Sequence, residues 1–401
     1  MPAVSILPPP ALERLLADLA EDLRALDAQD LRRRLVMIEG VDGVRVRVEG
    51  REVISWCSND YLGLSTHPRV VRAAADAAMT DGVGARSARL LSGTMHWHAR
   101  LEEALADWFG AEAAIVFSSG YLTNLGTLGA LLSAHDAVFV DRLAHASLID
   151  AARATRATLR VFHHQDQAHL ERLLSRASGV RRRMIVTEGV FSMDGDQPPL
   201  TALMDLAQRY DALLYLDDAH GVFVMGATGR GTPEAAGISH ERLLYMGTLG
   251  KALGCQGGFV IGPNTLIDAL RNRARTFLYE TALAVPIAAA ALEALRVLRE
   301  SPQLRDVLRQ RVARLHERLS PLARIPQPGS HIVPLILGDA KHALQAAHQL
   351  WARGIWAPAI RPPTVPSGSA RLRLSVTALH TDAHIDQLVD ALSECEFAAS
   401  S

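Results

Sequence analysis

The chain has 401 residues, 49% hydrophobic and 21% charged, with a formal net charge of −1. That length supports a large core and more than one domain, and the composition is too apolar for disorder. The near-zero charge offers no footprint for nucleic acid or an anionic membrane surface.

In chain order, MPAVSILPPPALERLL lacks a basic leader and is broken by prolines, so no signal peptide is expected. Residues 11 to 35 place leucines at helical spacing between charges, which predicts one amphipathic helix. VRVRVEGREVISW alternates about a glycine and predicts a hairpin or edge strands. We take 1–57 as an N-terminal segment.

From about residue 95 the pattern changes to short apolar runs alternating with helical stretches. AAIVF (113–117), AVFV (137–140), TLRVF (158–162), RMIVTE (183–188), ALLYLDD (212–218), RLLYMG (242–247) and GGFVIG (257–262) read as buried strands. Their alternation with helices predicts an α/β large domain over 58–290, a mostly parallel sheet covered on both faces. The run AVPIAAAALEALRVL comes nearest to a membrane span but is cut by Glu293 and Arg296. Beyond it, helices near 303–318, 342–353 and 382–394 and strands near SHIVPLIL and ARLRLSV predict a smaller α+β domain over 291–401. The proline-rich loop RPPTVPSG (361–368) joins two of its strands. Cys57, Cys255 and Cys395 lie far apart with no C-x-x-C spacing, which fits a reducing cytoplasm. His96 and His98 lack a second cluster, so no metal is expected, and His98 is read as supporting a helix start. His163 and His164 are read as a surface loop after a strand.

In open parallel sheets ligands bind at the carboxyl ends of strands. Five of these strand ends carry SSGY, DRLAHAS, GVFSMDGD, DDAHG and TLGK. Any one of them alone reads as a cap or turn; together they predict a site. Among 42 basic residues only Lys251 and Lys341 are lysines, and Lys251 sits in the glycine-rich stretch YMGTLGKALG. A Schiff base requires an amine that can shed its proton, which guanidinium does not. A P-loop fails, because Tyr245 and Ala252 stand where it needs glycine and Ser/Thr. Lys341 is read as a solvated surface residue. A carbonyl cofactor on Lys251 points to pyridoxal 5′-phosphate, whose ring nitrogen needs a carboxylate. Asp217 is placed for it, whereas strand alternation turns Asp218 away. His220 suits the ring oxygen and His145 the ring face. The amides of Ser118, Ser119, Gly120 and Tyr121 at a helix start suit the phosphate, with hydroxyls from Ser192 and Thr248.

FSSGY, DRLAHASLIDA, TEGVFSMDGD, LDDAHG and GTLGKALG, in this order, resemble the α-oxoamine synthases. The resemblance covers nearly the whole chain, from the arginine run at 32–34 and SNDYLGL (58–64) to LRLSVTALHT. It implies the fold type I of pyridoxal-phosphate transferases, aspartate-aminotransferase-like. It also implies the activity: decarboxylative condensation of an amino acid with an acyl thioester. Lys251, Asp217, His145 and His220 would be catalytic, and Gly120, Tyr121, Ser192, Thr248 and Thr281 would hold cofactor. The C-terminal loop AIRPPTVPSGSARLRLSVTALHT resembles the branch that joins L-alanine to a pimeloyl thioester of coenzyme A or an acyl carrier protein. There Arg361 would bind the amino-acid carboxylate, with Thr364, Arg32, Asn59 and His145 also touching substrate. Branches using glycine, the serine palmitoyltransferase branch, an aminotransferase of the same fold and a non-catalytic protein that keeps the fold are the alternatives. A homodimer in the cytoplasm is implied, with Thr281 near the partner's phosphate site and Glu280 facing away from it.

Overall fold

The computed structural model describes residues 10–238, 242–322, 325 and 329–395. Most of the opening stretch on which the signal-peptide expectation falls lies outside them. The first helix, α1 (Pro10–Ala28), is shorter than the leucine spacing predicts. Asp30 takes a left-handed conformation, and Leu31 N closes back on the Leu26 carbonyl, which ends the helix. The arginine run 32–34 therefore follows as extended chain and not as a helical face. Strands β1 (Ile38–Asp42), β2 (Arg45–Val48) and β3 (Arg51–Ser55) form an antiparallel meander, the predicted hairpin with one strand more. Helices α2 (Pro68–Asp81) and α3 (His96–Phe109) follow. His98 Nδ1 accepts from Met95 N at the start of α3, the capping role expected for it.

The next stretch delivers the predicted alternation: β4 (Ala113–Phe117), α4 (Gly120–Leu131), β5 (Ala137–Asp141), α5 (Ala146–Ala154), β6 (Thr158–Phe162), α6 (Gln167–Ser175), β7 (Arg183–Glu188), α7 (Leu200–Arg209), β8 (Ala212–Asp217), α8 (Thr232–Ala236), β9 (Leu243–Thr248) and β10 (Gly258–Gly262). They build one seven-stranded sheet in the order β4-β10-β9-β8-β7-β5-β6. All neighbours are parallel except β10, which runs antiparallel to both β4 and β9. Two reversals restore the direction, so β4 points the same way as β9. All five polar strand ends thus share one edge of the sheet. β5, β7, β8 and β9 are apolar and buried on both faces, as a covered parallel sheet requires. β6 corrects the expectation of a buried strand: at the sheet margin it leaves Thr158, Arg160 and Val161 exposed.

Helices α9 (Asn264–Arg273), α10 (Arg275–Leu278) and α11 (Val285–Glu300) follow, then α12 (Gln303–Leu319), β11 (Ile332–Gly338), α13 (Ala340–Ala352), β12 (Ile355–Trp356), β13 (Ala359–Ile360), β14 (Ala370–Ser375) and α14 (Asp382–Ser393). The division proposed at residue 291 falls inside α11, a continuous helix packed on α2 and α3. β11, β14 and β13 form an antiparallel sheet, whereas β12 joins β3 in parallel and extends the N-terminal meander to four strands. The N-terminal segment is thereby stitched to the C-terminal region. Among the described residues no helix is long and apolar enough to cross a membrane.

Candidate active site

The shared sheet edge gathers the predicted residues. Ser119 caps α4 by accepting from Leu122 N, and the first-turn amides of Gly120 and Tyr121 have no partner within the helix. Ser118 Oγ is buried with no partner of its own. Thr248, at the end of β9, lies beside this turn: a Cβ on Gly120 would meet Thr248 Oγ1 at 3.5 Å. The Thr248 hydroxyl also donates to the Gly257 carbonyl and accepts from Gly250 N, which fixes the loop leading to Lys251. Anion-ready amides, an orphaned hydroxyl and a held threonine suit a phosphate.

Asp217 ends β8. Its carboxylate accepts from Asn124 Nδ2 at 2.7 Å and from Ala219 N at 3.0 Å. Asn124 is itself held by Tyr215 Oη and Ser147 Oγ, so the carboxylate is fixed from behind. Asp218 turns to the opposite face, where Thr232 and Tyr245 donate to it, as strand alternation predicts. His220 is buried, with Nδ1 2.6 Å from Tyr61 Oη. Burial, with Lys251 and Arg373 nearby, holds it neutral. His145 caps α5 through its own ring nitrogen, and its ring lies nearly perpendicular to that of Tyr121. Burial lowers its pKa against the opposing pull of Asp217.

Lys251 follows β9 and is half-buried. Burial pushes its pKa down to about 8, against the carboxylates of Asp217 and Glu188. A lysine so placed spends part of its time as the free amine near neutral pH. Glu188, at the end of β7, is fully buried and accepts from His145 N at 2.7 Å. Burial, joined by the Asp217 charge, raises its pKa. Sequence reasoning passed over Glu188.

It also passed over Arg373. This residue lies on β14, buried, and its charge acts on Lys251, His220 and Tyr61. Its Nε donates to the Ser192 carbonyl, and Nη1 donates to Ser375 Oγ at 2.8 Å and Asn59 Oδ1 at 3.3 Å. Nη2 makes only contacts of 3.4 Å, to Asn59 Oδ1 and Tyr61 Oη. Asn59 is thus brought into the pocket, and Ser192 enters by its main chain, bonded to Arg373.

Arg361 lies elsewhere. It lines a groove of about 600 Å³ with Arg32, Arg34, His348, Trp351 and Trp356, and Nη1 donates to the Asp30 carbonyl. Thr364 accepts from Arg33 Nη2 at 3.1 Å, and Arg32 pairs with Asp27. The 361–368 loop has docked on the extended arginine run, and this draws Arg361 to the N-terminal segment. Thr281 is exposed and bridges to Ala88, and Glu280 beside it is exposed. Lys341 is exposed at the start of α13. No cluster suited to a metal occurs among the described residues.

Residues 51–392 match the family model for aminotransferase class I and II. The chain belongs to that family. This class I and II member is 46% identical over 385 residues to 8-amino-7-oxononanoate synthase of Herminiimonas arsenicoxydans, covering 94% of this chain and 99% of that one. The structure of S. paucimobilis serine palmitoyltransferase, solved with bound PLP and myriocin, superposes with a TM-score of 0.90. It is 29% identical and covers 95% of this chain and 97% of that one. The 8-amino-7-oxononanoate synthase structure from Francisella tularensis gives 0.74 at 30% identity, covering 85% and 97%. Within the aminotransferase family these relatives set the chain among the α-oxoamine synthases, with the fold type I architecture that the motifs implied.

Proposed function

We propose that this protein is a pyridoxal-phosphate-dependent acyltransferase that condenses L-alanine with a pimeloyl thioester. The products are 8-amino-7-oxononanoate, a step of biotin biosynthesis, carbon dioxide and the free thiol carrier. The observation that carries the reading is the half-buried lysine, Lys251. It stands with Asp217, His145 and His220 at one sheet edge, in a chain 46% identical to a protein of that name.

The residues fit the cofactor. Gly120, Tyr121 and Thr248 would hold its phosphate, Asp217 its ring nitrogen, His220 its ring oxygen and His145 its exposed face. Ser118, with an unpartnered hydroxyl, would join them. When bound, pyridoxal phosphate supplies an aldehyde for Lys251 and an electron-accepting ring that takes up the charge left at the substrate's α-carbon. Lys251 Nζ would receive the α-proton of alanine, which its lowered proton affinity suits. Asp217, its carboxylate braced by Asn124, would stand against the ring nitrogen, which needs a carboxylate partner.

The amino-acid carboxylate needs a cation, and the pocket offers Arg373. A guanidinium fork suits a planar carboxylate, and Nη2 is the arm least engaged by the protein. We therefore assign the carboxylate to Arg373 with Asn59. Arg361, Arg32 and Thr364 we assign to the acyl substrate, whose anionic parts the outer groove would receive. We further propose a cytoplasmic homodimer. α1 exposes Leu12, Leu15, Leu16, Leu19, Leu23 and Leu26 along one stripe, a surface that a second copy would cover. Coenzyme A or an acyl carrier protein would bring the acyl group.

The deciding assay incubates purified protein with L-alanine and pimeloyl thioester and follows thiol release and the keto product. Turnover that instead uses glycine, or that cycles with a keto acid and no thioester, overturns the assignment.

A further inference from the structure

Behind the pocket lies an ionised cluster with no part in the chemistry above. His164, just past β6, stands between two carboxylates, with Nδ1 3.0 Å from Asp141 Oδ1 and Nε2 2.8 Å from Asp196 Oδ2. A neutral imidazole has one N–H and would set a bare lone pair against one of them. Only the imidazolium, a donor at both nitrogens, satisfies both. The Phe191 ring packs nearly perpendicular to it, with the ring centroids 4.4 Å apart. The Asp141 side chain is 1% exposed, so its charge needs a counter-ion, and His164 is the cation in contact with it. Burial pulls the His164 pKa down, but the two carboxylates outweigh it and raise the value to about 10.

The two carboxylates belong to different working loops. Asp141 ends β5, accepts Leu143 N on its side chain and Ala144 N on its carbonyl, and so shapes the turn that delivers His145. Asp196 closes the 191–196 loop, its carbonyl accepting Phe191 N while Gly195 N donates to the Phe191 carbonyl. That loop presents the Ser192 carbonyl to Arg373 and the Met193 carbonyl to Arg371. Gln165 braces the same junction, from its N to Asp141 Oδ2 and from Nε2 to the Gln197 carbonyl.

We propose that His164 is a positioning residue. Its imidazolium bolts the β5 turn that carries His145 to the 191–196 loop that orients Arg373, and together these set the seat of the amino-acid substrate. The proposal rests on the reading of the Lys251 pocket as the cofactor and amino-acid site.

The test compares holoenzyme of wild type, His164→Gln and Asp196→Ala by visible absorbance, visible circular dichroism, thermal midpoint and spectral titration with L-alanine. The bolt touches neither Lys251, Asp217 nor Thr248, so the variants keep the cofactor band. In His164→Gln the Kd for alanine rises about tenfold or more, the scale on which small misplacements act, and Asp196→Ala follows in the same direction. The dichroism of the band changes with it, because His145 shifts. Alanine affinity and dichroism within twofold of wild type, with only the midpoint lowered, make His164 a structural ion pair and overturn the proposal. Should His164→Gln not fold, Asp196→Ala, which keeps the His164–Asp141 pair, decides alone: unchanged affinity overturns and weakened affinity supports. The wild-type spectrum, taken first, tests the cofactor reading separately, because a protein without the band fails that reading before any variant is compared.

Discussion

Replacing Arg373 by lysine keeps the charge and removes the fork. In the wild type Nε and Nη1 are spent on Ser192, Ser375 and Asn59, while Nη2 has only 3.4 Å partners. An incoming carboxylate would take the Nη2 hydrogens and share Asn59. Lysine is a point donor on a shorter reach and cannot brace the Ser192 carbonyl and a substrate together. Losing one charge-assisted hydrogen bond costs about 1.5–3 kcal/mol, which corresponds to roughly a 10- to 150-fold weaker Kd for L-alanine. The assay is spectral titration of the holoenzyme with alanine, with the thermal midpoint and cofactor stoichiometry as controls. Arg361→Lys is measured beside it and should change the alanine Kd by less than about twofold, because a partly exposed arginine that pairs with the Asp30 carbonyl contributes little to a distant anion. The reasoning fails if Arg361→Lys abolishes alanine binding while Arg373→Lys leaves it intact.

Other consequences follow from the same geometry. Asp217→Asn should still bind cofactor, because Lys251 and the α4 turn are untouched, yet turnover should fall about 100-fold or more, the scale for removing a preorganised charge. Steady-state rates at saturating substrates check it. The folded-state pKa of His164 is raised from 6.5 to about 10, so its contribution to stability is complete below about pH 6.5 and is lost as pH climbs through about 10. The thermal midpoint should therefore decline over that range, and less steeply in His164→Gln. Gly231 has a φ of +92°, and a Cβ there would come within 1.9 Å of Asp218 Oδ2. Gly231→Ala should lose at least about 1–3 kcal/mol of stability by denaturant titration.

What the sequence made legible follows from where its signals lie. The interior strands are short apolar runs that end abruptly in Ser, Asp, His or Gly, and five such ends on parallel strands must meet at one edge. Lys251 stood out because arginine serves almost every other cation. Arg373 was hidden for the opposite reason. It is one arginine among many, in an alternating strand that reads as half exposed, although every residue of β14 is buried. The available signal was the i, i+2 pair Arg371 and Arg373 on one face, both aimed at the 192–194 loop. His164 was read as a loop residue because nothing in HHQDQ announces Asp141 or Asp196, which lie 23 and 32 positions away in the chain. The end of α1 depends on one left-handed residue, Asp30, which leucine spacing does not register.

Reduction with borohydride tests the core of the account most directly. The purified protein is treated, digested and mapped for the pyridoxyl group. A single labelled peptide carrying Lys251, absent from Lys251→Ala, is the predicted outcome; a label on Lys341, or none, contradicts it.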